Sequence, residues 1–171
     1  AVLAIRSLAE FGLELVEQPV PPGDPEGLAR VRAACGVPIA ADEDVTDAAA
    51  AARLLEAGAV DALVVKPMVV GGLRAGLEIA AVAKEAAASV IVTTTVDAGV
   101  GTAAALHLAA ALPDEGPAHG LATGSLLAAD VVARPLAVRA GRMALPEGPG
   151  LGVELDEGAL ARYGMRSREV P

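Results

Sequence analysis

The chain has 171 residues, 54% of them apolar, and a formal net charge of −9 at pH 7. That is enough chain to bury a core of its own, and with one Phe, one Tyr and no Trp the core must be built from Ala, Val and Leu. The acidic balance excludes nucleic acid as a partner, because phosphate binding needs a basic surface. A lone Cys35 excludes an internal disulfide framework and fits a reducing compartment. No uncharged apolar stretch of roughly 18 residues offers a membrane span, and no basic-led signal peptide opens the chain. A cytoplasmic protein with no membrane partner is the expectation.

The chain opens without Met, inside a helix-spaced run from Ala1 to Ala9 with no N-cap ahead of it, as expected of a fragment. This first helix runs to Gly12, and a strand over Leu13 to Glu17 follows. Gln18-Pro19 and Pro21-Pro22-Gly23 interrupt regular structure. Asp24-Pro25-Glu26 supplies an N-cap, a proline at the first helical position and an acid in the first turn. That helix ends at Gly36. Pro38 to Ala41 is the next strand, running into Asp42-Glu43-Asp44. Thr46 or Asp47 caps an Ala-rich helix that Gly58 stops. Val60 to Lys66 is a strand closed by Pro67, Gly71-Gly72 leads into a helix from about Leu73 to Ala87, and Ser89 to Thr95 is a β-branched strand. Gly99 and Gly101 precede a helix stopped by Pro113. A short strand is expected around Gly120 to Ala122 and a helix over Leu126 to Val132. The Gly/Pro-rich tail reads as a wrap rather than another repeat.

Strand–helix alternation, five times over at roughly 25 to 28 residues, means a parallel sheet with helices outside it. Three strands stop at a charge: Glu17, Asp42 and Lys66, 25 and 24 residues apart. Acids clustered where a buried strand ends are costly to desolvate and need a partner, and a metal ion fits that need. Function at the C-terminal ends of successive strands is the habit of (β/α) barrels. No G-x-G-x-x-G follows the first strand, so a dinucleotide fold has little support. The expected fold class is therefore α/β, the C-terminal part of a TIM-type barrel with about five βα units. A complete barrel needs eight strands and about 250 residues, so about three strands are expected to be missing. The expected division is a partial barrel over 1–145 and a C-terminal tail over 146–171. Open barrel edges predict self-association, and a homo-oligomer is compatible with this.

With Glu17 in "LVEQP", Asp42 in "PIAADED" and Lys66 in "LVVKP" in register, the chain resembles the enolase superfamily, in its muconate-lactonising branch. "KPMVVGGLRAGLEIA" and "HGLATGSLLAADVV" look most like actinobacterial-type o-succinylbenzoate synthases of menaquinone biosynthesis. The similarity covers essentially all of the chain. It implies one Mg²⁺ (or Mn²⁺) held by three strand-end carboxylates, with Glu17 as the second ligand and Asp42 as the third. Oxygen-only ligation suits such a hard cation. The resemblance also implies that the chain is the C-terminal part of the barrel: the first ligand, the lysine base, the first strands and an N-terminal capping domain, toward which the tail over 146–171 would wrap, would lie upstream of Ala1. The implied reaction on a small-molecule carboxylate is proton abstraction beside the carboxylate through a metal-stabilised enediolate. In the synthase, loss of hydroxyl then gives an aromatic ring, with Lys66 facing the missing lysine across the substrate. The same scaffold serves N-acylamino acid racemases, dipeptide epimerases and muconate cycloisomerases, and the fragment by itself is expected to be inactive.

Each position also has a plainer reading. Lys66 is one of only two lysines among thirteen Lys and Arg residues; it follows Leu63-Val64-Val65, where burial would depress an ammonium pKa, or it is a strand-end lysine reaching for water. Glu17 and Asp42 have turn-acid alternatives. Glu43 is expected behind the ligands as support rather than as a ligand, and Asp44 as a turn acid. Thr93, Thr94 and Thr95 stand where the resembling family has serines near the distal substrate carboxylate, and Asp97 stands for its usual Glu. Gly71 and Gly72 offer backbone amides to a substrate or form a plain turn. His107 and His119 are expected to be satisfied structural histidines, and no zinc constellation exists.

Overall fold

The computed structural model describes residues 1–113 and 116–164. Helix α1 (Val2–Leu8) continues as a 3-10 turn over Ala9–Phe11 and ends at Gly12, whose left-handed φ of 71° closes the turn. Strand β1 (Val16–Glu17) is shorter than the sequence predicts. Helix α2 (Pro25–Cys35) starts as expected: Asp24 accepts from the Gly27 amide at 2.7 Å and Pro25 occupies the first turn. Strand β2 (Ile39–Ala41) is buried throughout. For helix α3 (Ala48–Glu56) the cap is Asp47, not Thr46; its carboxylate takes the Ala50 amide at 2.7 Å.

Strand β3 (Ala62–Val65) is followed not by a simple stop at Pro67 but by one helical turn, α4 (Pro67–Val70), begun by that proline. Helix α5 (Leu73–Glu85), strand β4 (Ser89–Val92) and helix α6 (Gly99–Ala110) complete the regular alternation. The four strands form one parallel sheet in chain order β1-β2-β3-β4. The fifth strand of the sequence reading is reduced to one parallel bridge, Thr93 to Gly120, with the Gly120 amide donating to Val92 at 2.9 Å.

The helix expected over Leu126 to Val132 is absent. A 3-10 turn spans Ala122–Leu126, and Leu127 leaves it in an extended conformation. Asp130 is the physical reason. Its carboxylate Oδ1 accepts from the Gly99 amide at 2.8 Å and the Val131 amide at 2.7 Å, so the segment serves as a cap for α6 instead of forming a helix. The approach is closest at Gly99, where a Cβ would lie 2.4 Å from Val132 Cγ2. Beyond it come an antiparallel ribbon, β5 (Val138–Arg139) with β6 (Arg142–Met143), and helix α7 (Glu157–Tyr163). The tail is stitched back by a Val132–Leu155 bridge and by the amides of Ala133 and Asp156. Residues 165–171 of the predicted tail lie outside the described residues. No helix among the described residues is long and apolar enough to cross a membrane.

Parity along the strands assigns two faces. Ile39, Ala41, Leu63, Val65 and Val92 belong to the main core beneath the helices, with Leu28, Leu54 and Ile79. Ala40, Ala62, Val64 and Ile91, with Leu15 beside them, form a separate cluster on the opposite face. That second face is the barrel's interior, filled by small and branched residues as parallel barrels require.

Candidate active site

The interior face carries the site. The register pairs Glu17 with Ala40, Ala41 with Leu63, and Val64 with Ile91. Side chains alternate along a strand, so Leu15–Glu17, Ala40–Asp42, Val64–Lys66 and Ile91–Thr93 fall on one side. Each pair has an apolar member in or beside the interior cluster and, two residues on, a polar member at the C-terminal end. Four consecutive parallel strands thus deliver Glu17, Asp42, Lys66 and Thr93 to one mouth.

Lys66 Nζ donates to Asp42 Oδ1 in an ion pair whose side chains are only 20% and 13% exposed. The sequence's snorkelling lysine is therefore turned inward to a carboxylate. Glu17 has its carboxyl raised above the ordinary glutamate range. Partial burial is the largest cause; next come the negative charge of Asp42 and a carboxyl–carboxyl hydrogen bond with it, partly offset by Lys66, while Glu43 adds a smaller push upward. Two carboxyls crowded against a single ammonium describe a place short of positive charge. Glu43 itself is exposed beside them. Asp44 is the turn acid expected of it, accepting from the Gly23 amide at 2.6 Å and from Gln18 Nε2 at 2.9 Å.

The loop after β4 forms the far wall. Thr93 Oγ1 and Asp97 Oδ2 are buried and have no hydrogen-bond partner among the described residues. Thr94 is buried and its hydroxyl lies 2.6 Å from that of Thr123, and Thr95 donates to Asp97. Between them Val96 is held at φ 65°, a left-handed conformation that a β-branched residue adopts only under constraint. Strand parity puts Thr93 at the mouth, Asp97 packs against the start of α6 at Gly101, and Thr94 ties β4 to the 3-10 turn. Gly71 and Gly72 are both left-handed, and both amides donate to the Pro67 carbonyl. The plain-turn reading accounts for them.

His107 Nε2 lies 3.2 Å from the Leu151 carbonyl, and His119 Nδ1 accepts the Val92 amide at 3.1 Å, so both are structural. Among the described residues no three His, Cys, Asp or Glu side chains are grouped to hold a metal. Glu17 and Asp42 nonetheless fit two of the three expected carboxylates of a hard-cation site, with oxygen donors only and Glu17's carboxyl raised by partial burial and by its neighbour's charge.

Sequence reasoning missed Gln18 and Asp61. Gln18 links Asp42 to Asp44; its only sequence signal was its place between a strand-end acid and a proline. Asp61, one residue before β3, accepts from the Ile39 amide at 2.9 Å and from Arg32 Nη2 at 2.7 Å.

Comparison with known proteins settles the family. Residues 1–159 match the family model described as enolase C-terminal domain-like. The chain belongs to that family, in the muconate-lactonising branch of the enolase superfamily. It is 46% identical over 136 residues to an o-succinylbenzoate synthase of Thermobifida fusca, covering 80% of this chain and 41% of that protein. It is 36% identical over 163 residues to muconate cycloisomerase 1 of Rhodococcus opacus, covering 95% and 44% respectively. The crystal structure of muconate cycloisomerase from Pseudomonas fluorescens superposes with a TM-score of 0.89 at 33% identity, covering 94% of this chain and 45% of that one. The chain spans less than half the length of these relatives. The fold class expected from sequence, part of an α/β barrel, is therefore the observed one.

Proposed function

We propose that the protein carrying this chain is a Mg²⁺-dependent enzyme that removes a proton beside a substrate carboxylate. The observation that carries the reading is the convergence of Glu17, Asp42 and Lys66 at the C-terminal ends of adjacent parallel strands, on one face. Glu17 and Asp42 would hold Mg²⁺ or Mn²⁺, with Glu43 supporting them from outside. When bound, the cation supplies Lewis-acid stabilisation of negative charge developing on the carboxylate. Lys66 presents a largely buried ammonium at the same mouth, placed to hold positive charge against the reacting carbon or to move a proton at Nζ. Thr93, with its unpartnered hydroxyl, is the best placed of the three threonines to bind a distal polar group of the substrate. The described residues supply two carboxylates, so the 171 residues alone are expected to give negligible turnover.

At the finer level the reading is an o-succinylbenzoate synthase-like dehydratase, a carbon–oxygen lyase of menaquinone biosynthesis. The 46% identity to such a synthase supports it. The second reading is a cycloisomerase, supported by the longer alignments to muconate and chloromuconate cycloisomerases, at 36% and 38% identity over 163 residues.

The test uses the complete gene product with Mg²⁺. The cyclohexadiene carboxylate precursor of o-succinylbenzoate is offered and aromatisation followed by absorbance, with cis,cis-muconate and an N-acylamino acid in D₂O run in parallel. Aromatisation as the fastest of the three is the expected outcome. Faster lactonisation, or α-deuteration without aromatisation, would reassign the enzyme within the branch and leave the site in place.

A further inference from the structure

Gln18 is held at φ 38°, a left-handed conformation costly for a residue with a Cβ, one position after Glu17 and one before a proline. Such an outlier persists only where surrounding bonds over-determine it, and here they do. The Gln18 backbone amide donates to the Ala40 carbonyl at 2.8 Å, continuing the β1–β2 ladder one step past the strand. Its side-chain Oε1 accepts from the Asp42 amide at 2.9 Å. Its Nε2 donates to Asp44 Oδ2 at 2.9 Å and reaches the Val20 carbonyl at 3.3 Å. Asp44 Oδ1 in turn accepts the Gly23 amide at 2.6 Å. One amide side chain therefore fastens the main chain that carries Asp42, the loop that leaves Glu17, and the turn acid behind both.

An amide is the group this position requires. The Asp42 N–H needs an acceptor and Asp44 needs a donor, and a Gln offers one of each without adding charge beside Glu17, Asp42 and Asp44. A carboxylate here would face Asp44 with like charge and no proton to share.

We propose that Gln18 is a positioning residue that sets the separation of Glu17 and Asp42 for a shared divalent cation. This rests on the metal reading given above. Residues that orient ligands without touching the metal typically change metal affinity about 10- to 100-fold when lost.

The test is a swap of donor and acceptor in the complete gene product, read by Mn²⁺ binding in electron paramagnetic resonance titrations. Gln18→Glu keeps the acceptor for Asp42 but loses the donor to Asp44. Asp44→Asn keeps an acceptor for Gly23 but turns its other atom into a donor facing Gln18 Nε2. Each alone should raise the Mn²⁺ Kd about tenfold or more. Combined, they keep the bond from the Asp42 amide and restore the 18–44 bond with its roles reversed, losing only the long 3.3 Å bond to the Val20 carbonyl, and the Kd should return to within about threefold of the parent. Hydrogen exchange of the Asp42 amide, followed without metal, should lose protection in Gln18→Ala and keep it in the double variant. Single variants that bind Mn²⁺ like the parent, or a double variant no better than the singles, overturn this proposal alone. A parent protein that binds no Mn²⁺ overturns the metal reading and this one together.

Discussion

Asp61, at the N-terminal end of β3, and Glu17, at the C-terminal end of β1, are carboxylates at opposite rims of the same sheet. Asp61 uses both oxygens: one takes the Ile39 amide and the other the Arg32 guanidinium. Burial alone would raise its pKa, but the hydrogen bonds from Arg32 and Ile39 and the charge of Arg32 outweigh that and hold it below the ordinary aspartate range. Glu17 has the reverse balance, raised by burial and by Asp42. One rim has had its charge neutralised by the fold, and the other keeps two carboxyls against one ammonium. In barrels the first condition belongs to stability and the second to chemistry.

The contrast predicts separable effects. The largest is on turnover in the complete gene product. Asp42→Asn and Glu17→Gln should each lower kcat/KM about 10³-fold or more, since a bound cation is worth several kcal/mol to the developing charge. Near-normal rates in either would remove that residue from the site. Asp61→Ala should instead cost about 2 kcal/mol in urea unfolding, mostly from the orphaned Ile39 amide, because the partly exposed Arg32 pair adds little. Its Mn²⁺ affinity should stay at the parent value; a parallel loss would show that the two rims are coupled.

The pH dependence sharpens the same point with opposite signs. Asp61, depressed in the folded state, contributes stability that is present above the ordinary aspartate value and lost as pH falls through its folded value. Glu17, raised, binds its proton more tightly when folded. Without metal, folding stability therefore declines as pH rises from the ordinary glutamate value through the folded one. The smallest effect comes from this balance: Glu17→Gln should slightly stabilise the metal-free protein at neutral pH, seen as a higher urea midpoint than the parent's. A lower midpoint would mean that Glu17 is already satisfied by partners of its own.

How much of this was legible in the sequence depends on the kind of bond involved. The strand ends were readable because burial on both faces leaves a continuous apolar run and a charge after it stands out, as at Leu63-Val64-Val65-Lys66. The helix starts at Asp24 and Asp47 were readable because a cap bond spans three residues. Bonds that cross between elements leave no such periodic trace. Asp130 lies 31 residues from the Gly99 amide it caps, which is why Leu126 to Val132 read as a helix. Gln18 lies 24 residues from the Asp42 amide, and nothing in "EQP" announces an acceptor. The interior face was within reach: small Ala40 and Ala62 alternate with the core residues Ile39, Ala41 and Leu63, and period two alone sorts them.

The sheet order, which runs in the order of the chain, has a consequence for synthesis. Paired residues such as Val16 and Ile39, or Ala62 and Ser89, meet only after a helix has been made between them. No strand of this parallel sheet can pair with its neighbour through a tight turn, so its contacts are long in sequence and slow to form. As the polypeptide leaves the ribosome, Glu17, Asp42, Lys66 and Thr93 emerge in the order in which their strands lie in the sheet. The cap that Asp130 places on α6 comes after all of them. Until its next neighbour has been made, each strand of the sheet presents a bare edge to its surroundings.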